Sequence, residues 1–313
     1  AAFWALNPSA IFNSANWGQT DGMMICLLVL SFYVVEQDKP VLGSVLFAVA
    51  ALTKMQTLYF TPVLFVFLLR KHRLQKTLYS VLAAMGTGIA AFIPFIIGSW
   101  KIRGIQALLT PFEVYFGGLG KYPYIALNTY NLYGIRSLNW VSDSKSLLFG
   151  TYNEELGFST GGLTYNHLSM LFFLAGLALT VYILWKGRQE HSLWLGCFVF
   201  MQCIFMLTTR MHERYQIVVL PFALVLYAVS RKGQWLGIFI GLSVVTFVNQ
   251  FMLLIRNNTI GTPNAPWEAI FNPVQSVMSV VNLVVFALSL YQAWLFAFPP
   301  KNTENSCEEV TIP

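Results

Sequence analysis

Charged residues are scarce in this chain of 313 residues. Only 10% of its residues are Asp, Glu, Lys or Arg, whereas 56% are hydrophobic and the mean hydropathy is +0.60. Soluble domains carry about 25% charged residues, so this composition excludes a soluble domain and indicates a polytopic membrane protein. The net charge of +6 therefore predicts orientation in a membrane rather than contact with nucleic acid.

Cysteine is also rare, and the four cysteines show no spacing typical of a metal site or a disulfide. We therefore expect packing roles for them, no bound metal and no cofactor. The apolar runs lack the paired Asp, or the Ser and His, that an intramembrane protease needs. We find no convincing internal repeat of the kind common in transporters.

Apolar runs bounded by charge, Pro or Gly dominate the chain. A spanning helix needs about 20 apolar residues, fewer where the bilayer thins locally. The predicted architecture is an all-α, polytopic transmembrane bundle. The nine predicted spans are 22–37, 40–53, 56–69, 78–98, 166–185, 193–209, 215–230, 234–255 and 275–297.

This pattern predicts four regions. Residues 1–98 hold the first spans, 99–165 form a long outward-facing loop between the fourth and fifth spans, and 166–298 hold the remaining spans. Residues 299–313 form a cytoplasmic tail. Residues 1–12 have the composition of a helix tail, so we expect an N-terminally truncated fragment whose earlier helices are missing.

The second and third spans are short, and a single helix over 40–69 is the alternative. Such a helix would carry Lys54 and Gln56 in its middle, with Pro62 following, and polar groups at that depth are costly in lipid. We therefore favour two helices that meet in a turn at the membrane surface.

Basic residues set the sidedness, because short cytoplasmic loops are enriched in Lys and Arg. The face with more of them holds Lys39, Arg70, Lys71, Arg73, Lys76, Lys186, Arg188, Arg231, Lys232 and Lys301. The short loops of the opposite face hold Lys54, Arg210, Arg214 and Arg256. This difference places Lys54, Arg210 and Arg214 outside.

Three polar segments fall on that outer face. In NSANWGQTDG (13–22), Gln19 and Asp21 suit sugar hydroxyls and Trp17 offers an apolar face to a pyranose ring, although Asp21 also suits helix capping. Lys54 is a cation at the tip of a helix pair. MHERY (211–215) follows Arg210, and Arg210 and Arg214 suit a phosphate or an anchoring ion pair.

The loop 99–165 is rich in aromatic residues and in Asn and Gly. Loops of this length are usually functional or disordered. Its composition fits a folded lid that stacks on sugars, and equally an aromatic belt at the membrane interface.

Several segments in this order resemble the bacterial and archaeal GT-C glycosyltransferases, which are membrane enzymes that use polyprenyl-phosphate sugars. They include proteins described as mannosyltransferases. The resemblance rests on ALNPSAIFNSANWGQTDG, the EQDKP turn, LFAVAALTKMQTLYFTPVLF, NTYNLYGI and MHERYQIVVLPF, and it covers most of 1–230.

The resemblance implies a glycosyltransferase that moves a sugar from a polyprenyl-phosphate donor to a lipid-linked glycan or other acceptor, with inversion. Because the sequence shows no metal-ligand set, we expect the reaction to be independent of a metal. It implies an outward-facing site in a multi-pass protein of a cell membrane, most simply the bacterial plasma membrane. Its partners would be the lipid-linked donor, the glycan or lipid acceptor and membrane lipids. The alternatives are a polysaccharide polymerase or ligase, and a transporter or flippase.

Site residues follow by position in the matching segments. The donor phosphate would be held by Lys54, Arg210, His212 and Arg214. Substrate would be contacted by Trp17, Gln19, Gln56, Asn128 and Tyr215. Asp21 and Glu213 are the candidate catalytic carboxylates, but we expect the general base in an outer loop upstream of Ala1.

Overall fold

The computed structural model describes residues 2–118, 121–153, 158–187, 191–259 and 266–300. Within these ranges the chain is mostly helical, which confirms the all-α bundle. The helices are α1 (Ala2–Ala5), α2 (Pro8–Ala15), α3 (Asp21–Glu36), α4 (Pro40–Thr53), α5 (Thr61–Lys71), α6 (Leu74–Arg103), α7 (Thr110–Phe116), α8 (Tyr165–Lys186), α9 (Ser192–Leu207), α10 (Leu220–Ser230), α11 (Gly233–Thr259) and α12 (Pro266–Ala297).

Four described helical segments are long and apolar enough to cross a membrane, and three shorter ones are strongly apolar. The long segments are Leu74–Phe116, Tyr165–Lys186, Gly233–Asn258 and Ala269–Ala297. The shorter ones are Pro40–Thr53, Ser192–Leu207 and Tyr215–Ser230. Each of the nine predicted spans overlaps one of the described helices, and α4 has the predicted bounds.

The chain turns between α4 and α5, where a single longer helix was the alternative. Lys54 has an extended backbone, with φ −158° and ψ 127°. A 3-10 helix, Met55–Phe60, follows, and Pro62 lies in the first turn of α5. Because this 3-10 helix takes up the start of the predicted third span, α5 begins at Thr61 and not at 56.

Helices α3 and α4 pack closely at Gly43. A Cβ atom there would lie 2.3 Å from Val35 Cγ2 and 2.8 Å from the Ser31 carbonyl oxygen. Ser31 Oγ donates a hydrogen bond of 2.8 Å to the Gly43 carbonyl. Small residues allow this close approach of helices in membranes.

Aromatic residues fill the centre of the bundle. Phe32 of α3 contacts Phe60, Trp194 of α9 and Phe222 of α10, with ring centroids 6.0 to 6.1 Å apart. All four side chains are buried. Their packing ties the first helices to α9 and α10, and so brings together segments far apart in sequence.

The long loop has more structure than its composition predicts. α6 continues to Arg103, so the loop begins at Gly104 and not at 99. It contains a 3-10 helix (Gly104–Leu109), α7, another 3-10 helix (Leu132–Arg136) and an antiparallel hairpin of β1 (Leu147–Asn153) and β2 (Phe158–Thr164), which the sequence analysis did not predict.

The helix ends that were predicted to be cytoplasmic lie together. Arg70 Nη2 donates to the Gly187 carbonyl at 2.8 Å, which joins the ends of α5 and α8. His191 Nδ1 lies 3.3 Å from Glu36 Oε2. Arg188, Lys301 and the rest of the predicted tail beyond Pro300 lie outside the described residues.

Candidate functional site

A buried ion pair joins two of the segments that were predicted to face outward. Asp21, the first residue of α3, is 1% exposed. One of its carboxylate oxygens accepts a hydrogen bond from Lys54 Nζ, and the other accepts one of 3.1 Å from Asn13 Nδ2. Lys54 Nζ also lies 3.5 Å from Gln19 Oε1. The stretch 13–22 is therefore polar because it holds a lysine at the rim of the bundle.

The turn between α2 and α3 shapes this arrangement. Gly18 has φ +58°, a left-handed conformation that favours glycine. Trp17 packs against a cluster that includes Met252 and Phe271, and its indole N–H is buried without a hydrogen-bond partner in the described residues. Its ring therefore lies against α11 and α12, and its contact with a sugar stays a prediction.

The second part of the site is the turn between α9 and α10. Glu213 is 3% exposed. Its carboxylate accepts a hydrogen bond of 2.8 Å from Arg214 Nη1 and lies 3.7 Å from His212 Nδ1. Arg214 also lies over the Tyr215 ring, with its guanidinium carbon 5.7 Å from the ring centroid.

These contacts set the charge of Glu213. Burial alone would raise the pKa of its carboxyl, but the nearby His212 ring and the charge of Arg214 outweigh burial and lower that pKa below its ordinary value. The side chain is thus a carboxylate that orients two cationic or hydrogen-bonding neighbours.

The two parts meet through the segment that follows Lys54. The Gln56 amide lies next to the Tyr215 hydroxyl, and Tyr59 lies within electrostatic range of Arg210. Three segments, the last of them about 150 residues beyond the second in sequence, therefore share one end of the bundle. This convergence was expected from the charge distribution alone.

Asp143 is a site residue that sequence reasoning missed. It is fully buried, and its carboxylate accepts hydrogen bonds from Arg210 Nε at 2.7 Å, Arg210 Nη2 at 3.3 Å and Thr209 Oγ1 at 3.1 Å. Arg210 has φ +64° and donates its backbone N–H to the Tyr124 carbonyl at 3.0 Å. Asp143 therefore fixes the outer loop to the segment that carries MHERY.

Amide side chains of the last helices hold the NTYNLYG stretch inside the bundle. Asn249 of α11 donates to the Asn128 carbonyl at 2.7 Å, Gln275 of α12 to the Thr129 carbonyl at 3.0 Å, and Asn282 of α12 to the Tyr130 carbonyl at 2.6 Å. These residues were also missed. The sequence could have identified them, because amide side chains inside apolar spans are costly unless they are paired.

The same contacts bear on Asn128. Its backbone has φ +58°, and its side-chain oxygen accepts a hydrogen bond of 3.1 Å from Arg256 Nη1. It is 5% exposed. This placement favours a structural role within the loop, and its contact with substrate stays a prediction.

Comparison with models of protein families identifies the family of the chain. The model of the ALG6, ALG8 glycosyltransferase family matches residues 5–293. The chain belongs to this family. No curated protein matches the sequence.

Membership in the ALG6, ALG8 family makes the chain a multi-pass membrane glycosyltransferase that takes its sugar from a lipid-linked donor. A glycan acceptor follows from the same membership. The resemblance to membrane glycosyltransferases is thereby confirmed at the level of the family, whereas a bacterial or archaeal origin stays a prediction.

This glycosyltransferase has a large apolar cavity that is lined by neighbours of Lys54 in sequence. It has a volume of about 710 Å³ and lies between α4, α5, α6 and α7. Ala51, Leu52 and Leu58, on either side of Lys54 in sequence, line one end of it, and Leu68 and Ser80 line the other. Among the described residues, no three His, Cys, Asp or Glu side chains form a group that could hold a metal ion.

Proposed function

We propose that the protein transfers a sugar from a polyprenyl-phosphate donor to a glycan acceptor on the extracytoplasmic face of the membrane, with inversion at the anomeric carbon and without a metal. The observation that carries the donor assignment is the apolar cavity whose lining includes Ala51, Leu52 and Leu58, the residues that flank Lys54 in sequence. Such a pairing suits an amphiphile with a long hydrocarbon chain and an anionic headgroup.

The cavity has the right chemistry for a polyprenyl chain. Its lining is almost entirely aliphatic and aromatic. It includes Leu68 and Met85 as well as Leu58 and Tyr115. Burial of apolar surface stabilises a bound chain by about 25 cal/mol per Å². The chain would lie along α6 with its phosphate at the level of Lys54.

Two cations at the rim are suited to the phosphate. An ammonium group has three N–H donors, and Lys54 uses two of them for Asp21 and Gln19. Arg214 donates to Glu213, while its Nε is buried without a partner in the described residues. Since buried donors are almost always satisfied, this Nε marks a place for an acceptor oxygen.

The proposed step is substitution at the anomeric carbon. The acceptor hydroxyl attacks that carbon, the bond to the phosphate oxygen breaks, and the polyprenyl phosphate leaves as an anion. Cations held at the leaving oxygen stabilise the charge that develops there. This stabilisation is the reason for proposing chemistry without a metal.

The carboxylates of the site act in this proposal as positioning groups. Asp21 holds Lys54, and Glu213 holds Arg214 and His212, so each carboxylate already balances a cation. A proton acceptor positioned at the attacking hydroxyl contributes typically 10²–10⁴-fold to the rate. Its assignment to an outer loop upstream of Ala1 stays a prediction, as do the roles of Gln19, Gln56 and Tyr215 toward substrate.

The test is sugar transfer by the protein in liposomes, with radiolabelled polyprenyl-phosphate hexoses and extracted lipid-linked oligosaccharides. Lys54→Gln should raise the KM for the donor at least about tenfold, since a hydrogen bond to a charged group contributes about 1.5–3 kcal/mol. Lys54→Arg keeps the charge and should recover most of the affinity.

Lys121→Gln is the matched control, because Lys121 is an exposed lysine of the outer loop and should leave the donor KM unchanged. Equal donor KM values for wild type and Lys54→Gln would reject the phosphate site. Transport of the donor without transfer would instead favour the transporter alternative, and chain-length growth of a polymer would favour the polymerase alternative.

A further inference from the structure

An exposed aromatic surface adjoins the cation site on the outer loop. Trp140 is 52% exposed and Tyr122 is 42% exposed. The Tyr122 ring lies edge to face against His212, with centroids 5.1 Å apart, and the Trp140 ring lies against Tyr124 at 5.3 Å. We call Tyr122, Tyr124 and Trp140 the aromatic platform.

The platform is fixed relative to the cations. The Tyr124 carbonyl accepts a hydrogen bond of 3.0 Å from the Arg210 backbone N–H. The Trp140 backbone N–H donates to the Ala126 carbonyl at 3.1 Å, and Leu127 pairs with His212 as a parallel bridge. Both halves of the platform are therefore joined through backbone to the segment that carries Arg210 and Arg214.

Trp140 is held in an unfavourable conformation. Its φ is +61°, in the left-handed region, where a bulky residue is an outlier. Such strain costs on the order of 1–3 kcal/mol and concentrates at functional sites. A half-exposed indole gains little from burial in the fold to offset that cost, so the orientation of its ring needs another explanation.

We propose that the aromatic platform binds the acceptor glycan by stacking pyranose rings on Trp140 and Tyr122. A pyranose ring presents C–H groups on its faces and hydroxyls at its edge, which suits an aromatic face bordered by the Tyr hydroxyl and indole N–H groups. This inference rests on the proposed function, in which the acceptor must approach the sugar held beside Arg214.

The platform lies where such an acceptor must lie. Tyr122 touches His212, which is two residues from Arg214, so a glycan stacked on the platform extends directly toward the donor headgroup. The platform residues themselves carry no charge, which suits stacking with a neutral sugar ring. The competing explanation is an aromatic belt that anchors the loop at the membrane interface.

Trp140→Gly is the decisive variant, because glycine favours the backbone conformation at this position while the ring is removed. The variant should fold with an unfolding temperature close to that of the wild type. With radiolabelled polyprenyl-phosphate hexoses and the lipid-linked oligosaccharides extracted from the producing cells, its acceptor KM should rise about tenfold, which corresponds to about 1.4 kcal/mol. Its donor KM should stay unchanged.

Trp140→Phe keeps a flat ring and should recover much of the acceptor affinity, and Tyr122→Leu should raise the acceptor KM in the same way. Trp100→Ala is the control for membrane anchoring, since Trp100 is 49% exposed near the outer end of α6. It should leave both KM values unchanged.

The outcomes separate the two proposals. Normal turnover with an unchanged acceptor KM in Trp140→Gly and Tyr122→Leu overturns the platform and leaves the proposed function standing. An equal effect of Trp100→Ala also overturns the platform, in favour of an interfacial belt. A wild-type protein that transfers no sugar from any polyprenyl-phosphate hexose overturns the proposed function and the platform with it.

Discussion

The pair formed by Asp143 and Arg210 leads to an asymmetric stability prediction. The Asp143 side chain is fully buried, whereas the Arg210 side chain is 36% exposed. Asp143→Asn removes the charge and one of the two acceptor oxygens, whereas Arg210→Met removes both donors, so each substitution leaves a different group behind. The free energy of unfolding should therefore fall by different amounts in the two single variants.

Asp143→Asn leaves a guanidinium that water can reach. A hydrogen bond to a charged group contributes about 1.5–3 kcal/mol, and partial hydration of Arg210 offsets part of that loss, so we expect a cost of about 2 kcal/mol. Arg210→Met leaves a buried carboxylate with its charge uncompensated. Breaking a buried pair in this way costs about 3–5 kcal/mol.

The measurement is thermal unfolding of the purified protein in detergent. Using about 2 °C per kcal/mol, the lower end of the range for larger chains, Asp143→Asn should unfold roughly 4 °C below the wild type. Arg210→Met should unfold roughly 8 °C below it. The unfolding temperature of the double variant should fall by less than the sum of the two single losses, because neither charged group then remains.

Glu113→Gln is the control, since Glu113 pairs with Arg103 at an exposed position and its loss should leave the unfolding temperature unchanged. Additive losses in the double variant would contradict the reasoning, and so would Arg210→Met tolerated better than Asp143→Asn. Either result would mean that the bidentate contact does not couple the loop to the turn between α9 and α10.

Three further predictions concern the carboxyl of Glu213, two buried amide side chains and two glycines. The lowered pKa of Glu213 stabilises the fold above its unfolded pKa of about 4.3, so wild type should lose its advantage over Glu213→Gln only below about pH 4. Asn282→Leu, which leaves a buried carbonyl unpaired, should cost about 1–3 kcal/mol, whereas Gln202→Leu should be neutral or stabilising. Gly43→Ala should destabilise the α3–α4 contact, whereas Gly86→Ala should be neutral or stabilising.

Each of these three predictions is checked by comparing a variant with the wild type or with a matched second variant. Unfolding temperatures of wild type and Glu213→Gln that converge near pH 7 would contradict the assigned pKa direction. Gln202 is fully buried with no partner for its amide among the described residues, so a large loss in Gln202→Leu would show an unrecognised contact. Equal losses at Gly43 and Gly86 would contradict the packing argument, because a Cβ at Gly86 meets nothing within 4 Å.

Local chemistry predicted the helices well. The end of α4 at Thr53 follows from a lysine, a glutamine and a proline within nine residues, because these side chains and the missing proline N–H oppose a buried helix. α6 was harder, since Trp100 to Arg103 continue the helix past the apolar run. The helix continues through Pro94 and Gly98 and ends only before Gly104, whose φ of +54° is incompatible with a helix.

The site was predictable in part. Charge counting placed Lys54, Arg210 and Arg214 on one face, and the structure brings their segments to one end of the bundle. Pairing between distant segments was not predictable, because nothing near Asp143 in sequence indicates that it meets Arg210. For the same reason the pair between Asp21 and Lys54 was not foreseen, and a role of Asp21 toward substrate stays a prediction.

The three amides on α11 and α12 give the C-terminal helices an importance that their sequence does not reveal. They hold consecutive carbonyls of the outer loop, so the loop cannot shift unless these two helices shift with it. Removal of α12 would remove two of these three hydrogen bonds. The aromatic platform would then no longer be held in a fixed position relative to Arg210 and Arg214. A helix pair without a recognisable motif thus fixes the position of residues 128–130.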